Sequence, residues 1–207
     1  GSPVVSPLTS LVESLVSSGK IGNPVVANAA VVAALNLPAV NLATYDPMAV
    51  LANPASSAAD KSVALAVQSA ALQVANVVTQ TSSAIKASQP SASLTATGDQ
   101  VIDAIAAQLL APTSGGAATP SLSNATLVAT VISAVNTGAA PPLGGVAVEQ
   151  IAQIVAATNA AAADALREPT AAGAINQLSQ VAVVSQVNVP SAISQAIGSG
   201  QTLNTTV

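Results

Sequence analysis

The sequence predicts an all-α fold, a multi-helix bundle of about eight helices around one long central helix at residues 56–87, with no sheet. Apolar residues recur three and four positions apart through most of the chain, which is the spacing of one helix face. Polar residues followed directly by proline mark several helix starts. The Val-rich stretch 181–189 could form a strand, but the sequence offers it no partner strand.

The first helix is predicted within residues 4–20. Ser6 is a preferred capping residue, and Pro7 follows it at the first helical position, where a missing N–H costs nothing. Gly19 fits the position just after the helix, where a left-handed conformation is common. The apolar residues between these signals share one face: Leu8, Leu11, Val12, Leu15 and Val16.

Two further polar–proline pairs predict the next two helices. Asn23-Pro24 begins a helix that ends before Pro38. Asp46-Pro47 begins a second helix, which ends before Pro54. Because proline and its capping neighbour define both starts, we expect sharp helix boundaries with short connections between them.

Residues 56–87 form the longest helical candidate. A second apolar face, which carries Leu65 and Leu72, indicates that this helix lies at the centre of the bundle. The uncharged part, residues 63–85, contains Gln, Asn, Ser and Thr side chains that are too polar for a bilayer core, so no membrane span is predicted. The first face is a heptad seam: Val63, Val67, Ala70, Val74, Val77, Thr81 and Ala84.

Shorter apolar stripes predict the remaining helices. Proline and glycine place connections between them at residues 89–98, 113–121 and 139–145. We expect a single helical domain over residues 1–207, with a sub-boundary at 88–98 and flexible ends at 1–3 and 199–207. The stripes lie at 101–110, 127–138, 148–168, 175–182 (ending before Pro190) and 193–197.

The composition excludes several classes of protein. Hydrophobic residues make up 51% of the chain, and nearly all are Ala, Val, Leu and Ile. Charged residues make up only 6%, against about 25% in ordinary domains, so the surface must consist of neutral polar side chains. The net charge of −4 and the four cationic residues give no positive surface for nucleic acid or an anionic membrane.

The chain offers few groups for catalysis, since it contains neither histidine nor cysteine. This excludes Ser-His-Asp and Cys-His arrangements and removes the usual zinc and haem ligands. Ser17-x-x-Lys20 and Ser83-x-x-Lys86 match the S-x-x-K spacing, but the S-D-N and K-T-G motifs that accompany it are absent. We therefore predict no enzyme, and no catalytic, cofactor-binding or metal-binding residues.

The carboxylates Asp99 and Asp103 stand four apart on one face of a predicted helix start. Calcium requires about six to eight oxygen ligands, and no loop supplies them here. We interpret the pair as favourable negative charges near a positive helix N-terminus. Glu149 and Asp164 are expected on solvated faces, and Gly144-Gly145 lacks the strand and lysine of a phosphate loop, so it indicates a plain helix start.

The remaining unusual residues also have structural interpretations. Tyr45 is the only aromatic residue and is placed to pack onto Val50 as a hydrophobic staple. Met48 stands alone and cannot form a metal site. Asn124 and Asn204 match the N-x-[ST] glycosylation pattern, which we interpret as a chance match.

The order of these elements resembles a helical segment of large multidomain bacterial surface and secreted proteins, best over residues 4–80. The stretch "VVSPLTSLVESLVSSG" is similar to that family's PLTTL-like start, and "ANAAVVAALNLP" to its Ala-rich helix with a Leu-Pro end. "NLATYDPMAVL" and "AVQSAALQVANVV" are similar to its Leu-x-x-Tyr/Phe-Asp-Pro element and its long Gln/Ala/Asn helix. The matching positions serve as caps, stops and core: Pro7, Leu8, Leu37, Pro38, Tyr45, Asp46 and Pro47.

The resemblance implies a non-enzymatic structural, spacer or assembly domain of an exported, adhesin-like bacterial cell-surface protein. In that family the segment commonly follows an Ig-like or cadherin-like β-domain, so adjacent domains of a larger chain are the expected partners, together with self-association. The family has no catalytic motif to transfer. The alternative is a helical binding module with an apolar groove between helices, or a self-association surface, for a partner protein or a lipid.

Overall fold

The computed structural model describes residues 4–111, 121–138, 141–201 and 203. The protein is 74% helical and these residues contain no strand, which confirms the predicted all-α class. The helices are α1 (Pro7–Ser17), α2 (Pro24–Ala34), α3 (Pro47–Ala52), α4 (Ala58–Ser88), α5 (Leu94–Leu109), α6 (Ala125–Asn136), α7 (Gly145–Asp164) with a 3₁₀ turn (Ala165–Arg167), α8 (Ala171–Val183), a π segment (Val184–Asn188) and α9 (Val189–Ser199).

The starts of the first three helices are confirmed at the residues that the sequence indicates. The side chains of Ser6, Asn23 and Asp46 accept hydrogen bonds from backbone N–H groups of the first turn, at 3.2, 2.8 and 2.9 Å. Each such cap stabilises its helix by about 1 kcal/mol. Gly19 follows α1 with a φ of +70°, as its predicted left-handed position requires.

The long helix α4 lies at the centre, as predicted, and packs against α1, α3, α5, α7, α8 and α9. Five of the seven seam residues belong to the main hydrophobic cluster, whereas Leu65 and Leu72 belong to a smaller one. By length and composition α4 could cross a membrane, but 50% of its most apolar window is buried inside the bundle. The core helix of a soluble protein has the same property. The smaller cluster is completed by Ala162, Ala165, Ala174 and Leu178.

The start of α5 differs from the prediction. The helix begins at Leu94, where the Ser93 hydroxyl accepts a hydrogen bond from the backbone N–H of Ala96 at 3.3 Å. Gly98, which the sequence analysis placed in a connection, lies inside the helix. A Cβ there would be 3.5 Å from Val78 of α4, so the glycine lies at a helix–helix contact. Asp99 therefore lies in the second turn and Asp103 in the third, which corrects the assignment of the pair to the helix start.

The last helix also differs from the prediction, which placed a break before Pro190. Helices α8 and α9 are instead continuous through the π segment. A π turn has a wider hydrogen-bond pattern than an α turn and appears as a local bulge within helices. Pro190 is buried in the first turn of α9, and it has no N–H to donate to the turn before it.

The main cluster includes residues from both sides of the predicted sub-boundary at 88–98, for example Leu11 and Ile151. Leu203 is 8% exposed and also belongs to this cluster, whereas the expected flexible end at 199–207 stays a prediction. Outside the described residues lie 1–3, most of the predicted loop 113–121, part of the connection 139–145 and the glycosylation pattern at Asn204.

Candidate functional site

One member of each Ser-Lys pair makes a local contact within its own helix or the turn that follows it. The exposed Ser17 hydroxyl donates to the backbone carbonyl of Ser14 at 3.4 Å, within its own helix. The Lys86 ammonium donates to the carbonyls of Pro90 and Ala92 at 2.6 and 2.9 Å, so it closes the turn that follows α4. These two hydrogen bonds give Lys86 a structural role, because they stabilise the turn.

An acidic groove with a volume of about 590 Å³ lies open between α1 and α5. Its carboxylates, Glu13, Asp99 and Asp103, are all exposed. In the described part of the chain, no group of three histidine, cysteine, aspartate or glutamate side chains is arranged to hold a metal ion. The other residues that line the groove are Val5, Thr9, Ser10, Ser14, Ser17 and Ile102.

One hydrogen bond links the two helices of the acidic groove. The hydroxyl of Ser14, which is buried, donates to Oδ1 of Asp103 at 2.6 Å. A bond to an ionised carboxylate is stronger than a neutral one, so it helps to hold α1 against α5. A serine–carboxylate pair lacks the imidazole that accepts the serine proton in hydrolases. The sequence carries no signal for this pair, since its members stand 89 positions apart.

An apolar groove of about 120 Å³ lies where α3 and α8 meet α4. Ligand pockets commonly measure about 300–1,000 Å³, so this groove accommodates a side chain rather than a small molecule. Met48 stands at its edge with 54% of its surface exposed. The other residues that line it are Leu51, Leu65, Gln68, Leu72, Ile175, Leu178, Ser179 and Ala182.

A set of polar side chains, all buried except the half-buried Gln186, joins α4, α7 and the π segment, and we call it the polar layer. Asn76 donates to Oδ1 of Asn159 at 3.0 Å, and Asn159 donates to the carbonyl of Leu122 at 2.8 Å. Hydrogen-bonded amides specify how helices align, because a shift of one turn would leave them unpaired. The members of the layer are Asn76 and Gln80 of α4, Thr158 and Asn159 of α7, and Ser185 and Gln186 of the π segment.

Hydrogen bonds also connect α4 to the π segment through the polar layer. Gln186 donates to Oδ1 of Asn76 at 2.6 Å and accepts from the hydroxyl of Thr79 at 2.8 Å. The Gln80 side chain donates to the Thr158 hydroxyl and to the backbone carbonyl of Ser185, both at 3.2 Å. The sequence showed that α4 is too polar for a membrane. Only the fold shows which side chains satisfy its amides.

Tyr45, the only aromatic residue, is half-buried and packs against the main cluster. Its partial burial raises the pKa of the phenol above 10.0, and the negative charge of Asp60 raises it further. Both effects disfavour the phenolate. Its packing onto Val50 stays a prediction.

The other polar candidates occupy helix ends and exposed faces. Asn124 caps α6 through hydrogen bonds from the backbone, and Gly144 caps α7 without a side-chain bond. Glu149 is exposed, and exposed Asp164 pairs with Arg167 at 3.1 Å. Such surface pairs contribute little to stability.

No protein-family model matches the sequence, and no curated protein or solved structure matches it either.

Proposed function

We propose that the chain is a non-enzymatic structural domain of an exported, adhesin-like bacterial cell-surface protein, where it spaces or presents neighbouring domains. The main support is that both ends of the described chain are tied into one bundle. The N–H of Val4 donates to the carbonyl of Ala43 at 2.9 Å, and Leu203 is buried in the main cluster. A spacer must transmit orientation and force between its two ends, and it can do so when both ends are bound to the same bundle.

The surface chemistry supports the same role. Several exposed hydroxyls bond to carbonyls of their own helix, as Thr130 does to Thr126 at 2.9 Å and Ser191 to Val187 at 2.8 Å. Hydroxyls that are satisfied locally give a neutral, hydrated surface with little tendency to bind charged partners. A domain that holds others apart benefits from such a surface.

Surface exposure of the native protein tests the cellular part of the proposal. Intact cells that produce the full-length protein are treated with a protease and probed with an antibody against this domain. We expect cleavage of the domain while a cytoplasmic marker in the same cells stays whole. Protection of the domain until the cells are lysed would contradict an exported surface location.

Single-molecule pulling tests the mechanical part. Because the chain has no cysteine, one cysteine introduced at Val4 and one at the exposed Gln201 define the pulling points. We expect one unfolding step with a gain in length on the order of 700 Å, since an extended chain spans at most about 3.6 Å per residue. Two well-separated steps would indicate two independent units and a poor spacer.

The apolar groove favours a second function, a helical binding module. Its floor is formed by buried leucines and its edge by the exposed Met48, and an apolar side chain of a partner protein would fit its volume of about 120 Å³. An acyl chain of a lipid requires a longer cavity than this one. Light scattering across a range of concentrations tests self-association. Growth in mass that the Met48→Lys variant abolishes would favour this function, whereas a constant monomer mass favours the spacer.

A further inference from the structure

The hydrogen bonds of the last helix change pattern in front of Pro190. The N–H of Val189 donates to the carbonyl of Val184, five residues back, which is the π pattern. The next bond in this pattern would run from residue 190 to the carbonyl of Ser185. Proline has no N–H, so the backbone cannot supply that bond. Ser185 is fully buried, so bulk solvent does not reach it.

The side chain of Gln80 fills this gap. Its Nε2 donates to the Ser185 carbonyl at 3.2 Å, across the contact between α4 and the last helix. Its Oε1 has no hydrogen-bond partner among the described residues. The opposite orientation of the amide would place Oε1 against the Ser185 carbonyl, which sets one acceptor against another. The amide therefore leaves its own acceptor unpaired in order to satisfy the backbone.

The π segment also explains which faces of the last helix are buried. An α-helix turns by about 100° per residue, so an unbroken helix would place Ile193 about 100° around from Ala174. Both residues are buried, Ala174 in the smaller cluster and Ile193 in the main one. A π turn holds one extra residue and brings Ile193 back onto the face of Ala174. Both halves of the helix can then pack against α4.

We infer that Gln80 is a positioning residue that replaces the missing N–H of Pro190 and so maintains the π segment. Through that segment it keeps α8 and α9 on one face against α4. Three groups act together in this device: Pro190 frees a carbonyl, the π segment presents it, and Gln80 binds it. This inference concerns the fold itself and does not depend on the proposed function.

A double-mutant cycle with Gln80→Leu and Pro190→Ala tests the inference through urea unfolding. Gln80→Leu in the parent chain strands a buried carbonyl, and we expect the unfolding equilibrium constant to rise at least about tenfold. Pro190→Ala restores an N–H at that position, so in its background the same change should raise the constant less than about threefold. The Thr158 hydroxyl keeps its bond to Val155 in every variant, which limits the remaining effect.

Gln73→Leu is the matched control, because this amide lies on the same helix but donates to Ser69. Its effect should be the same in both backgrounds. Equal factors for Gln80→Leu in both backgrounds would overturn the inference. If Gln80→Leu alone does not fold, recovery of folding on addition of Pro190→Ala supports the inference, and failure to recover overturns it.

Discussion

Replacement of Gly98 by alanine should stabilise the protein, although Gly98 lies at the contact between α4 and α5. A Cβ at this position would be 3.5 Å from Cγ1 of Val78 and 4.0 Å from Oγ of Ser82, which is ordinary van der Waals contact. Glycine inside a helix costs about 0.5–1 kcal/mol relative to alanine, because the unfolded chain is freer. Since no atom has to move, we expect nearly all of this difference as added stability.

The assay is urea and thermal unfolding followed by circular dichroism. For a chain of this size a gain of 0.5–1 kcal/mol corresponds to a rise in Tm of about 1–4 °C. Gly19→Ala is the matched control: it has open space around the Cβ but a φ of +70°, so it should destabilise by about 1–2 kcal/mol. Loss of stability in Gly98→Ala would show that α4 and α5 lie closer together than described and would refute the reasoning.

Three further changes have clear expected outcomes. Asn159→Ala should lower the free energy of unfolding by about 2–5 kcal/mol in urea, because it strands the Leu122 carbonyl and the Asn76 amide; a loss below about 0.5 kcal/mol would contradict a buried polar layer. Ser57→Ala removes the acceptor for the Asp60 N–H at 3.1 Å and should cost about 1 kcal/mol, whereas the exposed Ser62→Ala should be nearly neutral. Absorbance titration of Tyr45, the only tyrosine in a chain without tryptophan, should show a midpoint above 10.0 that falls in Asp60→Asn. Because burial raises this pKa, the native state holds its proton longer than the unfolded state, and stability should fall as pH rises past 10.0. A midpoint at or below 10.0 in the folded protein would contradict the burial of the phenol.

Local physics accounts for the parts of the fold that the sequence predicted well. Ser6, Asn23 and Asp46 cap their helices because the bond runs to N–H groups only two or three residues away, whatever the rest of the chain does. The position of α4 followed from its two apolar faces, which only a central helix can bury. Its observed range, Ala58–Ser88, is close to the predicted 56–87.

The helix boundaries that the sequence predicted wrongly lie where a residue contacts a part of the chain that is distant in sequence. Glycine often ends a helix, yet Gly98 lies inside α5, where the helix packs against Val78 of α4. Pro190 usually ends a helix, but the Gln80 amide, 105 positions from Ser185, supplies the bond that proline removes.

The candidate sites show the same division. The sequence contains no histidine and no cysteine, and this alone excludes the catalytic arrangements that need them. The acidic groove, the apolar groove and the polar layer exist only because residues from distant helices meet. Hydrophobic spacing states which face of a helix is buried, but it does not say against which helix.

By itself, the sequence determined the helical class, the capped starts of the first helices and the central place of α4, because these depend on bonds and periodicities within a few residues. Tertiary structure alone decided that a proline can lie inside the last helix, and which amides pair inside the bundle. The physical reason is that a buried carbonyl or amide must find a donor or acceptor wherever the fold brings one within about 3 Å.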